Sequence, residues 1–210
     1  DGSAYFRVPA GVIVFFQTLD ERGRAVRTMR SATPTQPGQT VSCIGCHADR
    51  TAAPPTRVAL ASLREPSRIR VGPEGSWPLR FDRLIQPVLD RECVNCHKAG
   101  SDDAKAAKFD LTPSKAYESL TRFGKPSLFD QVMAGYREGV SRPGEGVARQ
   151  SALLKLLDQA GGHQGVKLEA ESLERFTIWM DTYAQRAGSI SPEQELELER
   201  LRLKWADLLA

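Results

Sequence analysis

The chain has 210 residues, 40% of them hydrophobic and 26% charged, with a formal net charge of +3. Both signs are spread along it, so no basic stripe for nucleic acid is present. No apolar run reaches the roughly 18 residues that a membrane-spanning helix needs, while the length suits one or two domains with a buried core.

The sequence opens Asp1-Gly2-Ser3 with no initiator methionine, which reads as a mature product or a fragment of something larger. Residues 1 to about 42 read as short strands: Tyr5 to Val8, Val12 to Leu19 and Ala25 to Arg30 are rich in β-branched and aromatic residues. Asp20-Glu21-Arg22-Gly23 is a hairpin turn in which Gly23 supplies positive φ. Val12 to Phe16 is apolar at every position, which predicts a strand covered on both faces. So few strands would leave unpaired edges, and they are expected to complete a β-sandwich with strands upstream. Thr33 to Gln39 is a polar connector.

Cys43-Ile44-Gly45-Cys46-His47 follows, and the same pattern returns as Cys93-Val94-Asn95-Cys96-His97. Cys-x-x-Cys-His is the attachment signature of a c-type haem: two thiols add across the vinyl groups, and the adjacent histidine becomes the proximal iron ligand. All four cysteines and two of the three histidines belong to these motifs. Competing readings fit less well. A thioredoxin-like pair does not call for a histidine after both copies. The gap between the pairs is longer than in a zinc site, and a Cys-x-x-Cys disulfide is strained. Two covalently bound haem c groups are therefore expected, with Cys43, Cys46, His47, Cys93, Cys96 and His97 holding them. Covalent attachment implies a periplasmic or other exported, non-cytoplasmic compartment.

Ala48 to Pro78 has five prolines and little periodicity, and reads as an extended strap. From Phe81 the period becomes helical: Phe81, Leu84, Ile85, Val88 and Leu89 share a face, and Pro87 predicts a kink or a new helix. The second motif ends that helix, and Lys98 to Lys108 reads as a polar loop. Helices are expected around Pro113 to Thr121, Ser127 to Ala134 and Ser151 to Gln159, with Gly161-Gly162 as a stop. Glu169 to Gln185 carries Leu173, Phe176, Met180 and Tyr183 at helical spacing. Ser191-Pro192-Glu193-Gln194 starts a last helix whose stripe, Leu198, Leu201, Trp205 and Leu208, needs a partner, either in the same molecule or across a dimer.

The fold class expected is α+β: a small N-terminal β-sheet segment with a first c-type haem, then a mainly α-helical cytochrome c-like domain with a second haem. The expected units are 1–78, 79–190 and a C-terminal amphipathic helix over 191–210.

The sixth iron position separates electron transfer from chemistry. His163, in Gly161-Gly162-His163-Gln164-Gly165, lies outside the motifs and within the second unit. It is the candidate distal ligand of the second haem, against the alternative of a solvated loop histidine. Its glycine neighbours would let the backbone approach a flat macrocycle. The first haem is left with Met29, Met133 or Met180, of which Met133 and Met180 read as helix core and Met29 more as sheet core than as ligand. Tyr5, Tyr117, Tyr136 and Tyr183 are further oxygen candidates, and water or hydroxide could fill the position instead. Arg27, Arg30 and Arg50 flank this segment as surface charge, propionate partners or substrate contacts.

Asp1 to Ala10, Phe16 to Asp20, Thr28 to Ser31 and Cys43 to His47 resemble the dihaem region of the hydrazine synthase alpha subunit and related planctomycete-type cytochromes. Ile85 to Asp90, Lys167-Leu168 and Ile178 to Asp181 extend the likeness. The resemblance implies an upstream β-rich portion, unusual ligation at the first haem and a bis-histidine second haem, with His163 as distal ligand. In that family a tyrosine four residues after the first motif histidine binds iron. Here that position is Thr51, whose neutral hydroxyl is a far poorer ligand than a phenolate.

Two functions follow as expectations. The first is a dihaem cytochrome passing single electrons to a redox partner or to upstream domains of its own polypeptide. The alternative is a haem-dependent oxidoreductase acting on a small nitrogen or oxygen species bound at the first haem. A gas sensor is a third possibility, without a signalling domain in view.

Overall fold

The computed structural model of the chain describes residues 1–43 and 57–209. Its helices begin where the apolar period changes. α1 (Phe81–Leu84) and α2 (Gln86–Glu92) meet at Ile85, with Pro87 in the first turn of α2. A missing N–H costs nothing there, so the proline starts a new helix rather than bending an old one. Phe81, Leu84, Ile85, Val88 and Leu89 are all buried, as their spacing requires.

α4 (Ala116–Thr121), α5 (Leu128–Glu138) and α7 (Ala152–Leu157) lie within or across the expected helical stretches. α5 opens on a Ser127–Asp130 capping box and stops at Gly139, φ 65°. α8 (Ala170–Asp181) runs through the middle of the core and packs against α1, α6 (Val147–Gln150) and α7. Its Phe176, Trp179 and Met180 are fully buried. Trp179 lies 5.2 Å from the Phe81 ring and 6.3 Å from Tyr117, and its indole N–H donates to the Gln185 carbonyl at 2.9 Å.

Two short helices differ from expectation. α3 (Ala104–Lys108) forms inside the stretch read as polar loop, because the Asp103 carboxylate caps the Lys105 and Ala106 N–H groups. It buries no residue, so it shows no apolar period. α6 (Val147–Gln150) is a single turn whose one buried residue is Ala148.

The N-terminal strands are shorter than their composition suggests. β1 (Ile13–Val14) pairs antiparallel with β4 (Thr33–Pro34), and β2 (Gln17–Leu19) with β3 (Ala25–Thr28). The expected turn joins β2 and β3: Asp20 N–H donates to Arg24 O, and Gly23 sits at φ 72°. The expected covering of Val12 to Phe16 on both faces is not found. The run breaks after Val14 and feeds two separate ribbons, leaving Ile13 76% and Phe15 45% exposed. Tyr5 to Val8 pairs with the strap instead, through the Phe6–Ser67 bridge.

Polar bonds join the β2–β3 ribbon to the helices. The buried Asp181, at the end of α8, accepts the Ala25 N–H at 2.8 Å and the Ala148 N–H at 2.9 Å. Gln17 donates to the Asp181 carbonyl at 2.9 Å, and the Thr28 N–H donates to the Ser141 hydroxyl at 2.9 Å. Arg27 reaches the Ser141 carbonyl, and Arg30 the Gly135 carbonyl and Tyr183 hydroxyl. Burial pushes the Asp181 carboxyl up, while its two backbone donors pull it back.

The last helix, α9 (Pro192–Lys204), is capped by Ser191 as its sequence indicates. Its stripe turns inward within the molecule. Trp205 stacks on Trp77 at 6.1 Å, the Leu208 carbonyl accepts the Ile69 N–H at 3.2 Å, and Glu199 pairs with Arg83 at 2.8 Å. Trp205 of the stripe therefore packs on the strap, and α9 is tied to the start of the helical body through Glu199, though the stripe residues are only half-buried. Among the described residues no helix is long and apolar enough to cross a membrane.

Candidate metal centre

The second motif forms one helical turn at the end of α2. The His97 N–H donates to the Cys93 carbonyl at 2.9 Å, which places Cys93, Cys96 and His97 on one face. Cys93 is half-buried and Cys96 exposed, and both thiols are free, so they form no disulfide. Burial, with Glu92 and Cys96 adding, pushes the Cys93 thiol up to about 11. A reactive thioredoxin-type cysteine needs the opposite shift, so the surroundings of Cys93 do not activate it as a nucleophile.

His97 is oriented by its own loop. Its Nδ1 lies 3.1 Å from the Phe109 carbonyl, and Phe109 meets the imidazole edge to face at 5.7 Å. The Leu111 N–H holds the His97 carbonyl at 2.9 Å. Two further bonds secure the loop: Gln86 Nε2 donates to Leu111 O at 3.1 Å and Ser119 Oγ to Asp110 O at 2.7 Å. Occupying Nδ1 in this way leaves Nε2 as the nitrogen free to ligate.

His163 faces this ring. The two imidazole centroids are 6.0 Å apart, with planes 26° from parallel. A tight turn presents His163: its N–H and carbonyl exchange 2.9 Å bonds with Val166 across Gln164 (φ 50°) and Gly165 (φ 82°). Gly162 serves the turn itself, since a Cβ there would lie 2.3 Å from the Val166 carbonyl oxygen, whereas a Cβ on Gly161 would meet nothing within 4 Å. Gln159 secures the turn through the Gly162 carbonyl at 2.6 Å.

The centroid separation of this pair matches that of two imidazoles on opposite sides of a metal. A metal–imidazole bond of about 2 Å on each side, with each centroid about 1 Å behind its nitrogen, puts the rings about 6 Å apart. Among the described residues no group of three or more His, Cys, Asp or Glu side chains gathers to hold an ion. Two imidazoles are fewer donors than a bare ion takes, and they would suit a planar cofactor that brings its own equatorial donors. Partly buried Val94, Phe109, Phe123, Leu157 and Val166 lie at the edge of the core.

The remaining candidates scatter. Cys46, His47, Arg50 and Thr51 lie outside the described residues, and Cys43 is exposed with a free thiol. Met180 is sealed in the core and Met29 is half-buried beside Phe16. Met133 was expected in the core but is half-buried and lines a groove, because Val132 takes the inward position on α5. Tyr5 is half-buried, Tyr136 is 67% exposed, the Tyr117 hydroxyl donates to Ala184 O at 3.0 Å, and Tyr183 accepts from Arg30. Arg27 and Arg30 clamp backbone carbonyls of the helical body.

Sequence reasoning missed Phe109, Gln86 and Gln159. Phe109 acts through its carbonyl, which any residue would supply. Gln86 left a trace, as a polar residue inside the apolar run from Phe81 to Leu89.

The family model of the hydrazine synthase alpha subunit middle domain matches residues 1–48. That stretch holds the four strands found among the described residues and runs through Cys43 to His47. No curated protein and no solved structure matches the chain.

Proposed function

We propose that the chain is a dihaem c-type cytochrome domain that carries single electrons. Cys93, Cys96, His97 and His163 would hold one haem c, and Cys43, Cys46 and His47 the other. The 6.0 Å pairing of His97 with His163 carries this reading. Held by both imidazoles, a haem would supply one-electron exchange with no position left open to substrate. The residues around it do the rest. Phe109 and the loop bonded by Gln86 and Ser119 hold the His97 ring in one orientation. The hairpin turn holds His163 in place before any group is bound, so little reorganisation accompanies a change of charge. Cytochromes of this type are exported, and the reading places the domain outside the cytoplasm, delivering electrons to a partner protein or to other domains of its polypeptide.

A second reading has one observation in its favour: the match to the hydrazine synthase alpha middle domain runs through the first motif. It makes the first haem a reactive site for a small nitrogen or oxygen species, fed by the second.

His163→Ala is the test. In haem-loaded protein it should convert one low-spin signal to high-spin in electron paramagnetic resonance, and an unchanged spectrum removes His163 as ligand. Carbon monoxide added to the reduced wild-type protein separates the two readings. No binding supports pure electron transfer, while binding to half the haem supports chemistry at the first site.

A further inference from the structure

A cavity of about 740 Å3 opens between α4, α5 and the turn that follows α8. It lies apart from the His97–His163 pair. Its walls are Tyr117, Phe129, Met133, Tyr136 and Tyr183, with Arg186 at one side. The size falls within the range of small-molecule sites, about 300–1,000 Å3, and the lining matches them too: aromatic faces with a few polar groups.

Two features mark it as more than a gap between helices. The first is its floor. Tyr183 (φ 70°) and Ala184 (φ 46°) are consecutive non-glycine residues in the left-handed region, which a bulky side chain rarely adopts. Five bonds converge on these two residues and on Gln185 and Arg186 after them. Ala184 N–H donates to Trp179 O at 2.8 Å, and Phe81 N–H to Arg186 O at 3.0 Å. Tyr117 OH donates to Ala184 O, Trp179 Nε1 to Gln185 O, and Arg30 to the Tyr183 hydroxyl. Simple chain reversal would be met by glycine. This turn instead delivers an aromatic ring and an arginine to one cavity.

The second feature is an exposed cation at the rim. The Arg186 guanidinium lies 5.8 Å from the Tyr117 ring centroid and meets no carboxylate among the described residues. Phe129 and Tyr136 leave 54% and 67% of their surface exposed at the cavity rim. Their rings, with Tyr183 perpendicular to Tyr136 at 6.5 Å, offer faces and edges to a flat apolar body. Arginine's planar donor fork suits a carboxylate.

We propose that this cavity binds a small planar aromatic carboxylate, its ring between the tyrosines and its carboxylate on Arg186. Titration calorimetry of the haem-loaded full chain with 2-naphthoate tests this. Saturable one-to-one binding is expected, weakened about tenfold for the neutral isostere 2-naphthalenemethanol and by Arg186→Gln, as for loss of one charge-assisted hydrogen bond. Tyr136→Ala, an exposed position that leaves the core intact, should also weaken it. Absence of saturable binding, or equal binding to wild type and both variants, overturns the proposal. So does binding that appears only after Cys43→Ser and Cys46→Ser, which would give the cavity to a macrocycle rather than a free ligand.

Discussion

In the helical body, Phe176, Trp179 and Met180 are sealed within one continuous apolar cluster that reaches from Phe81 to Ala184. In residues 1–43, the buried positions are Pro9, Ala25 and Thr35, while Ile13, Phe15 and Leu19 face outward. The body is held chiefly by area removed from water. The ribbon is held by a carboxylate, a hydroxyl and arginines bonded to backbone groups. Directional bonds of this kind are modest in net energy but costly to leave half-made. Where the ribbon lies is thus decided by partners on the helices, not by its own strand content.

The contrast can be broken at either end. The largest effect is expected for Trp179→Ala, which empties a fully enclosed site and should cost about 3–5 kcal/mol. Urea unfolding should show it as a fall in midpoint for the whole body.

Asp181→Ala comes next. It orphans the buried Ala25 and Ala148 N–H groups, at about 1–3 kcal/mol for each group that water cannot reach. Amide hydrogen exchange at Ala25 to Thr28 should accelerate more than exchange within α8. Equal acceleration in both would show that the ribbon and the body are one cooperative unit.

Gln86→Leu should cost less, about 1 kcal/mol, because it leaves the Leu111 carbonyl unpaired but also removes the Gln86 Oε1, a buried atom with no partner. Its useful readout is the His97 Nδ1–H resonance, which should shift as the Phe109 loop loosens.

The smallest effect is electrostatic. Burial opposes ionisation of Asp20, yet hydrogen bonds from Arg24, Arg149 and the Arg22 N–H outweigh it and hold the carboxyl well below the usual range. A depressed folded value means the contribution is complete above the ordinary 3.8 and is lost as pH falls through the folded value. Asp181 has the opposite sign. Its raised value makes stability fall as pH rises from 3.8 toward that value. Asp20→Asn should therefore flatten the acid loss of ribbon protection below about pH 4 and leave the body's acid limb unchanged, as read by exchange across a pH series.

Much of the helical body was legible. The spacing of Phe81 to Leu89, the Ser127 and Ser191 caps and the Phe176–Met180 face each express local geometry that neighbours along the chain enforce. The short helices α3 and α6 were not legible, because neither carries an apolar period. The ribbon misled in a different way. Val12 to Phe16 has strand composition, but pairing is a choice among distant partners, and the break after Val14 sends β1 to β4 and β2 to β3.

The candidate site divides along the same line. Cys93, Cys96 and His97 share a face because one helical turn separates them, and residue spacing alone determines that. The opposition of His163 to His97, the hold of the Phe109 carbonyl on the ring and the capture of the ribbon by Asp181 were decided only by tertiary structure. Each joins residues from different elements, and packing of those elements, rather than any local propensity, sets their distance.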